Sequence, residues 1–294
     1  MTIDEKLPEP NNPLGIDGIE FIEYATAQPL ALGALLEQMG FVATARHRSR
    51  EVTLYRQGDM NVIVNADQRA LPLGPDEVQS TVISAIALRV RDAASAYQHA
   101  IDMGAWSIQT RAGAMELNIP GVHGAGDSIL YFVDRFRDFS IYDVDFKPLA
   151  NAPAAPAQAL AGLHFFGVVQ AIGADRAPEW IDFYQQLMDF RPLPEGRYFG
   201  VVPKGTLLES PCHKFLLQLV EPPAGAGGLQ WGEQLIRVGF GVPDVPAAVR
   251  ALRQRGIVFI DREPARPTEK GALTQLYKGG VSFELVASNP PQSA

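Results

Sequence analysis

An internal repeat constrains this chain more than any other feature. The stretch SAIALRVRDAASAYQHAIDMGA (84–105) and the stretch LIRVGFGVPDVPAAVRALRQRGI (235–257) share one order: a β-rich run, an Asp, a helical run and a Gly. The same interval separates Asp92 from Asp244 and Gly104 from Gly256. An Asp before a helical run accepts a backbone N–H as an N-cap, and a Gly just past its end takes the left-handed turn that stops it. Any two β-α units can share such caps. Matching flanks on both sides point instead to a duplication, so the chain should fold as two halves of one plan.

The remaining pattern fits that plan. In the first half, 18–25 reads as a strand and 30–40 as a helix ending at a Gly, followed by strands in FVATARHRS, EVTLYRQGD and MNVIVNA. A second unit follows, with a strand at 84–92, a helix at 93–104 and strands in ELNIPG and SILYFVDRF. The second half repeats the order: strand 161–170, helix 178–190, strands in RYFGVV and KFLLQLVE, then strand 235–244, helix 245–256 and strands in LTQLYKG and VSFELVAS. Each half therefore reads as βαβββ-type units. Punctuation by Pro, Ala and Gly suggests a disordered leader (1–15), a first domain (16–146), a linker (147–160), a second domain (161–288) and a frayed tail (289–294), with one further loop at 221–229.

Composition removes several classes of function. The formal net charge is −8, which disfavours a nucleic-acid partner, since that role wants a basic face. The single cysteine, Cys212, excludes an intrachain disulfide and a cysteine-based zinc site. No apolar run approaches the length of a membrane span, and the polar, acidic, Pro-rich start has no signal-peptide character, so no membrane contact and a cytoplasmic location are expected. No dinucleotide fingerprint, P-loop or nucleophile elbow occurs, and the Gly-rich GVHGAGD reads as a loop. Assembly as a homo-oligomer is left open.

The segments NPLGIDGIEFIEYA, HRSREVTLYRQGDMNVIVN, GAMELNIPGVHG and LYFVDRFRDFSIYDVDF closely resemble the amino-terminal half of bacterial 4-hydroxyphenylpyruvate dioxygenase. The likeness continues more weakly through LHFFGVV, EQLIRVGFGVPD and VSFELVAS, and so covers nearly the whole chain. It implies the vicinal-oxygen-chelate (glyoxalase, bleomycin-resistance and extradiol dioxygenase) superfamily. The implied fold is α+β: two tandem domains of paired βαβββ modules forming open barrels. The implied chemistry is oxidation of an aromatic 2-oxo acid or phenolic acid at Fe(II), held in the second barrel by two histidines and a carboxylate. A small aromatic acid is then the partner.

Carried over position by position, the resemblance makes His164 the first histidine ligand and Glu284 the carboxylate. Glu284 lies in an apolar run, where an unpaired carboxylate is costly, so it wants a metal, a cation or a proton. The second histidine position holds Arg237, which stays protonated and has no lone pair to offer iron. Arg237 has two readings as a reactive-site residue: it replaces the metal and pairs with Glu284, or it binds a substrate carboxylate. Among the other histidines, His47, His99 and His123 fall in the first half, and His213 is the remaining candidate in the second. Ser210 and Gln275 stand where the family keeps substrate-facing polar residues, while Val220 is apolar at such a place. In the first half the repeat sets Glu20, Ala85 and approximately Val133 against His164, Arg237 and Glu284, with no triad. The chain ends about ten residues past Glu284, where the family continues into a helix over the pocket, so weaker water exclusion is expected. Three classes follow: a dioxygenase-like enzyme with a weakened ligand set, a non-catalytic module of the kind found fused to sugar-isomerase-like dehydratases acting on dehydroshikimate, and a metal-dependent lyase or isomerase with other ligands.

Overall fold

A computed structural model describes residues 12–67, 70, 81–109, 116–137, 139–153, 157–194, 196, 199–201, 205–222, 232–277 and 279–290. Most of the expected leader, most of the 221–229 loop and the end of the tail lie outside the described residues. The first half runs β1 (Ile19–Thr26), α1 (Pro29–Gln38), β2 (Val42–His47), β3 (Val52–Gln57), β4 (Met60–Asn65), β5 (Thr81–Arg89), α2 (Ala93–Asp102), β6 (Gly121–His123), β7 (Ile129–Val133), α3 (Ile141–Asp145) and β8 (Phe146–Pro148). The second runs β9 (His164–Ala171), α4 (Ala177–Met188), β10 (Arg191–Pro192), β11 (Thr206–Glu209), β12 (Leu216–Val220), β13 (Gln234–Val242), α5 (Val245–Gln254), β14 (Gly271–Leu273) and β15 (Phe283–Ala287).

The duplication is visible in the caps. Asp92 accepts the Ser95 N–H at 2.7 Å to open α2, and Asp244 accepts the Ala247 N–H at 2.8 Å to open α5. Gly104 and Gly256 stop these helices in the same left-handed conformation, each with φ of 92°. It is visible again in the sheets. Among the described residues, one sheet has the strand order β6-β7-β5-β1-β4-β3-β2-β8, and the other has β10-β11-β12-β9-β13-β15-β14. In each, two βαβββ modules meet through one antiparallel pair, β1·β5 or β9·β13, and each of these strands has a parallel neighbour on its far side.

Helices α1, α2, α4 and α5 share one core with one face of both sheets, through Leu36, Ala100, Tyr184 and Leu252 packed with Ile22, Ile86, Val168 and Phe240. The other, concave faces hold two separate smaller clusters, one around Phe21, Tyr142 and Phe146 and one around Val169, Phe199 and Val286. These are the interiors of two open barrels. The halves are stapled where Arg255, after α5, donates to the carbonyls of Glu37 and Gln38 at the C-terminal end of α1, at 2.6 and 2.8 Å. Lys214 and Asp17 form an ion pair across the same boundary. The segment after β8 stays against the first half, with the Gly58 N–H bonded to the Ala157 carbonyl at 2.7 Å and the Leu160 N–H to the Gln57 side chain at 2.7 Å. No helix among the described residues is long and apolar enough to cross a membrane.

Three strand expectations shift. ELNIPG is extended only from Gly121 onward, and LTQLYKG lies at the end of β14 and past it. The larger correction is RYFGVV. Its described residues, Phe199–Val201, form a bend and turn rather than a strand, because Gly200 sits at φ of 70° and breaks the extended run.

Candidate functional site

The concave face of the second sheet is where the duplicated plan places a site. β13 carries Arg237, Gly239 and Gly241 toward it, β15 carries Glu284 and Val286, and β9 carries His164, Gly167 and Val169. Two bulges set these directions: Phe166 is the extra residue on β9 and Ile236 the extra residue on β13.

Glu284 is fully buried, and both of its oxygens are committed. Oε2 lies 2.9 Å from Arg237 Nε, and Oε1 accepts the Val201 N–H at 2.8 Å. The side chain of Arg237 is 13% exposed, so this ion pair is largely shielded from water, where opposite charges attract more strongly than on a surface. The turn that delivers the Val201 amide needs Gly200: a Cβ there would stand 1.9 Å from Glu284 Oε1.

Phe199 closes the space above. Its ring is fully buried and lies over Gly167 and Gly239, which are direct partners across β9 and β13. A Cβ on Gly239 would come within 2.4 Å of that ring, and one on Gly167 within 2.6 Å. Phe166 meets Phe199 edge-on at 5.3 Å between centroids, and Val169, Leu207 and Val286 complete the packing. Val220, apolar where the family resemblance implied a polar residue, packs partly buried on the same cluster.

His164 stands one rung away, at the end of β9, directly over Gly241, whose Cβ would fall 2.2 Å from Nε2. Its Nδ1 is 3.1 Å from the Gly162 carbonyl and its Nε2 is 3.3 Å from Ser288 Oγ. Burial pushes its pKa below the ordinary histidine value, against the Gly162 bond. The structure thus brings Arg237 and Glu284 together, with His164 at the mouth engaged elsewhere. Ser210 is buried in the β11–β12 turn, where its Oγ accepts the Phe215 N–H at 3.3 Å and lies 3.4 Å from Cys212 Sγ. Gln275 is exposed, and its N–H donates to the Val258 carbonyl at 2.9 Å. His213 is turned outward onto Glu209, with Nδ1 2.9 Å from Oε2. Among the described residues, no three His, Cys, Asp or Glu side chains gather as a metal site. This donor set does not fit Fe(II): a guanidinium stands at one of the ligand positions that the resemblance implies, and the carboxylate is already paired with it and bonded to the Val201 N–H.

The first barrel differs in its register equivalents. Phe21 pairs with Ala87 as Gly167 pairs with Gly239, and Tyr131 pairs with Ala87 as Glu284 pairs with Gly239. The positions matching His164, Arg237 and Glu284 are therefore Gly18, Ala85 and Tyr131. The sequence alignment of Glu20 and Val133 therefore misses Gly18 and Tyr131 by two residues each.

Two tandem domains of paired βαβββ modules, each an open barrel with a concave interior, define the vicinal-oxygen-chelate class. The comparisons narrow this. A family model described as hydroxyphenylpyruvate dioxygenase, N-terminal, matches residues 10–147. The chain is 36% identical over 264 residues to the hemolysin VllY of Vibrio vulnificus, covering 85% of this chain and 73% of that protein. It is 33% identical over 273 residues to a 4-hydroxyphenylpyruvate dioxygenase of Pseudomonas aeruginosa, covering 86% and 73%. Among solved structures, it superposes on a xylose isomerase-like TIM barrel/4-hydroxyphenylpyruvate dioxygenase fusion protein with a TM-score of 0.75 and 25% identity, over 98% of this chain and 51% of that one. The chain thus spans about half of the fusion. It belongs to the 4-hydroxyphenylpyruvate dioxygenase family.

The signal for the closed pocket was present as glycines. Gly167, Gly239 and Gly241 interrupt otherwise strong strand sequences, and a strand-interior Gly marks close approach by another group. The approaching group, Phe199, has no signature of its own.

Proposed function

We propose that the second half is a non-catalytic domain on a dioxygenase scaffold, in which Arg237 stands in place of the metal. The observation that carries this reading is the buried Arg237–Glu284 pair, tied to the Val201 amide beneath the Phe199 ring. A carboxylate engaged in this way is not free to bind iron, and the Phe199 ring is packed against the two glycines at the centre of the same face. The chain's role is then to support another polypeptide, as a region matching nearly all of this chain accompanies a TIM barrel in the fusion protein.

The test is metal analysis of protein purified without chelator, together with oxygen uptake after addition of Fe(II) and 4-hydroxyphenylpyruvate. Iron well below stoichiometric and no substrate-dependent uptake are expected. Near-stoichiometric iron with uptake that requires the keto acid overturns the reading.

A further inference from the structure

The concave face of the first barrel holds a carboxylate that lacks a cation of its own. Glu23 projects from β1 among Asn65, Ser84 and Tyr131, all partly exposed and so reachable from solvent. Its Oε1 accepts two neutral donors, Ser84 Oγ at 2.8 Å and Asn65 Nδ2 at 3.1 Å. Among the described residues it has no ion-pair partner. Arg50, whose charge reaches it, is bonded to Glu116. Burial pushes the Glu23 carboxyl above the ordinary carboxylate range, against the pull of the Asn65 and Ser84 bonds.

The repeat shows what is missing. Glu23 pairs directly with Ala85, and Ala85 is the register equivalent of Arg237. The position that supplies a guanidinium in the second half supplies only a methyl group here. Beside that gap stand two aromatic rings, Phe21 and Tyr131, with centroids 6.0 Å apart and planes tilted by 47°. A part-buried carboxylate bonded only to neutral groups wants a positive partner, and aromatic faces attract cations.

We propose that this face binds a small organic ammonium, a primary amine on a short aliphatic or benzylic stem, with Glu23 as its counter-ion and the Tyr131 ring, backed by the buried Phe21, as its aromatic wall. The ligand's N–H groups donate to the Glu23 carboxylate, and its stem lies against the partly exposed Tyr131 ring. No bond is made or broken, and the site is independent of whether the second barrel holds a metal.

Calorimetric titration of the full chain tests this, with benzylammonium chloride as the probe, benzyl alcohol as its uncharged counterpart and benzoate as the anionic one. Saturable one-site binding of the amine is expected, with the alcohol and benzoate at least about tenfold weaker and Glu23→Gln weakening the amine by a similar factor. Absence of saturable amine binding overturns the proposal. So does equal binding of the alcohol or of benzoate, or undiminished amine binding to a folded Glu23→Gln chain. The comparison among the three probes uses the unmodified protein, and so decides the matter even where that variant does not fold.

Discussion

Replacing Arg237 with methionine keeps much of the stem and removes the guanidinium. Glu284, with no exposed surface, would keep the Val201 N–H but lose its guanidinium partner. Breaking a buried pair by removing one partner costs about 3–5 kcal/mol, because the remaining charge is stranded away from water. The unfolding entropy of a 294-residue chain is about 0.6 kcal/mol/K, taking about 2.1 cal/mol/K per residue. The expected fall in Tm is then about 5–8 °C. Adding Glu284→Gln removes the stranded charge while leaving an oxygen for Val201, so the double variant should recover most of the loss. Urea titration followed by circular dichroism on the four members of this cycle gives the coupling directly. A cost below about 1 kcal/mol for Arg237→Met, the scale of an exposed pair, would refute the picture of a shielded ion pair standing where a metal was expected.

Other outcomes follow from the same geometry. Phe199→Ala should cost about 3–5 kcal/mol and open an apolar space, so that saturating benzene raises the Tm of the variant but not of the parent; equal benzene effects would show that the ring does not fill the barrel. Gly200→Ala forces a side chain into a left-handed turn and onto Glu284, and a loss of about 2–3 kcal/mol is expected by urea titration, whereas a neutral result would mean the turn is elsewhere. Arg237→His alone should leave iron binding weak by metal titration, because Phe199 and the Glu284–Val201 bond remain; tight iron binding by that single variant would contradict the closed pocket. Burial holds the His47 pKa below its ordinary value, with Asp145 and Glu116 opposing. The unfolded chain, near 6.5, therefore takes up this proton first as pH falls. The His47 contribution to stability is fully present above about pH 6.5 and is lost as pH drops through the folded value, so His47→Gln should flatten that part of the stability profile. An NMR titration of the His47 ring with a midpoint at or above about 6.5 would contradict this.

The repeat, the four main helices and the strands that join the modules were legible in the sequence, because caps and periodicity are local. The pairing of Arg237 with Glu284 was also within reach, since an acid in an apolar run must find a partner and an arginine stood at the ligand position. What escaped depended on register and on packing at a distance. Nothing in GIEFIEYA announces that Gly18, rather than Glu20, stands at the position matching His164, because that correspondence is fixed only by the pairing of β1 with β5. Nor could RYFGVV be separated from a strand by composition. Its Phe199 is held against glycines more than thirty residues away in either direction, and only the folded backbone brings them together.

The two bulges recur at matching places, Glu20 and Ser84 in one half, Phe166 and Ile236 in the other. Each module therefore inherits a fixed socket, a few backbone positions whose inward direction is set before any side chain is chosen. At one such position the chain carries a methyl group in Ala85 and a charge in Arg237, with the strands unmoved. Chemistry on this scaffold can be gained or surrendered one residue at a time, and the fold need not record the change.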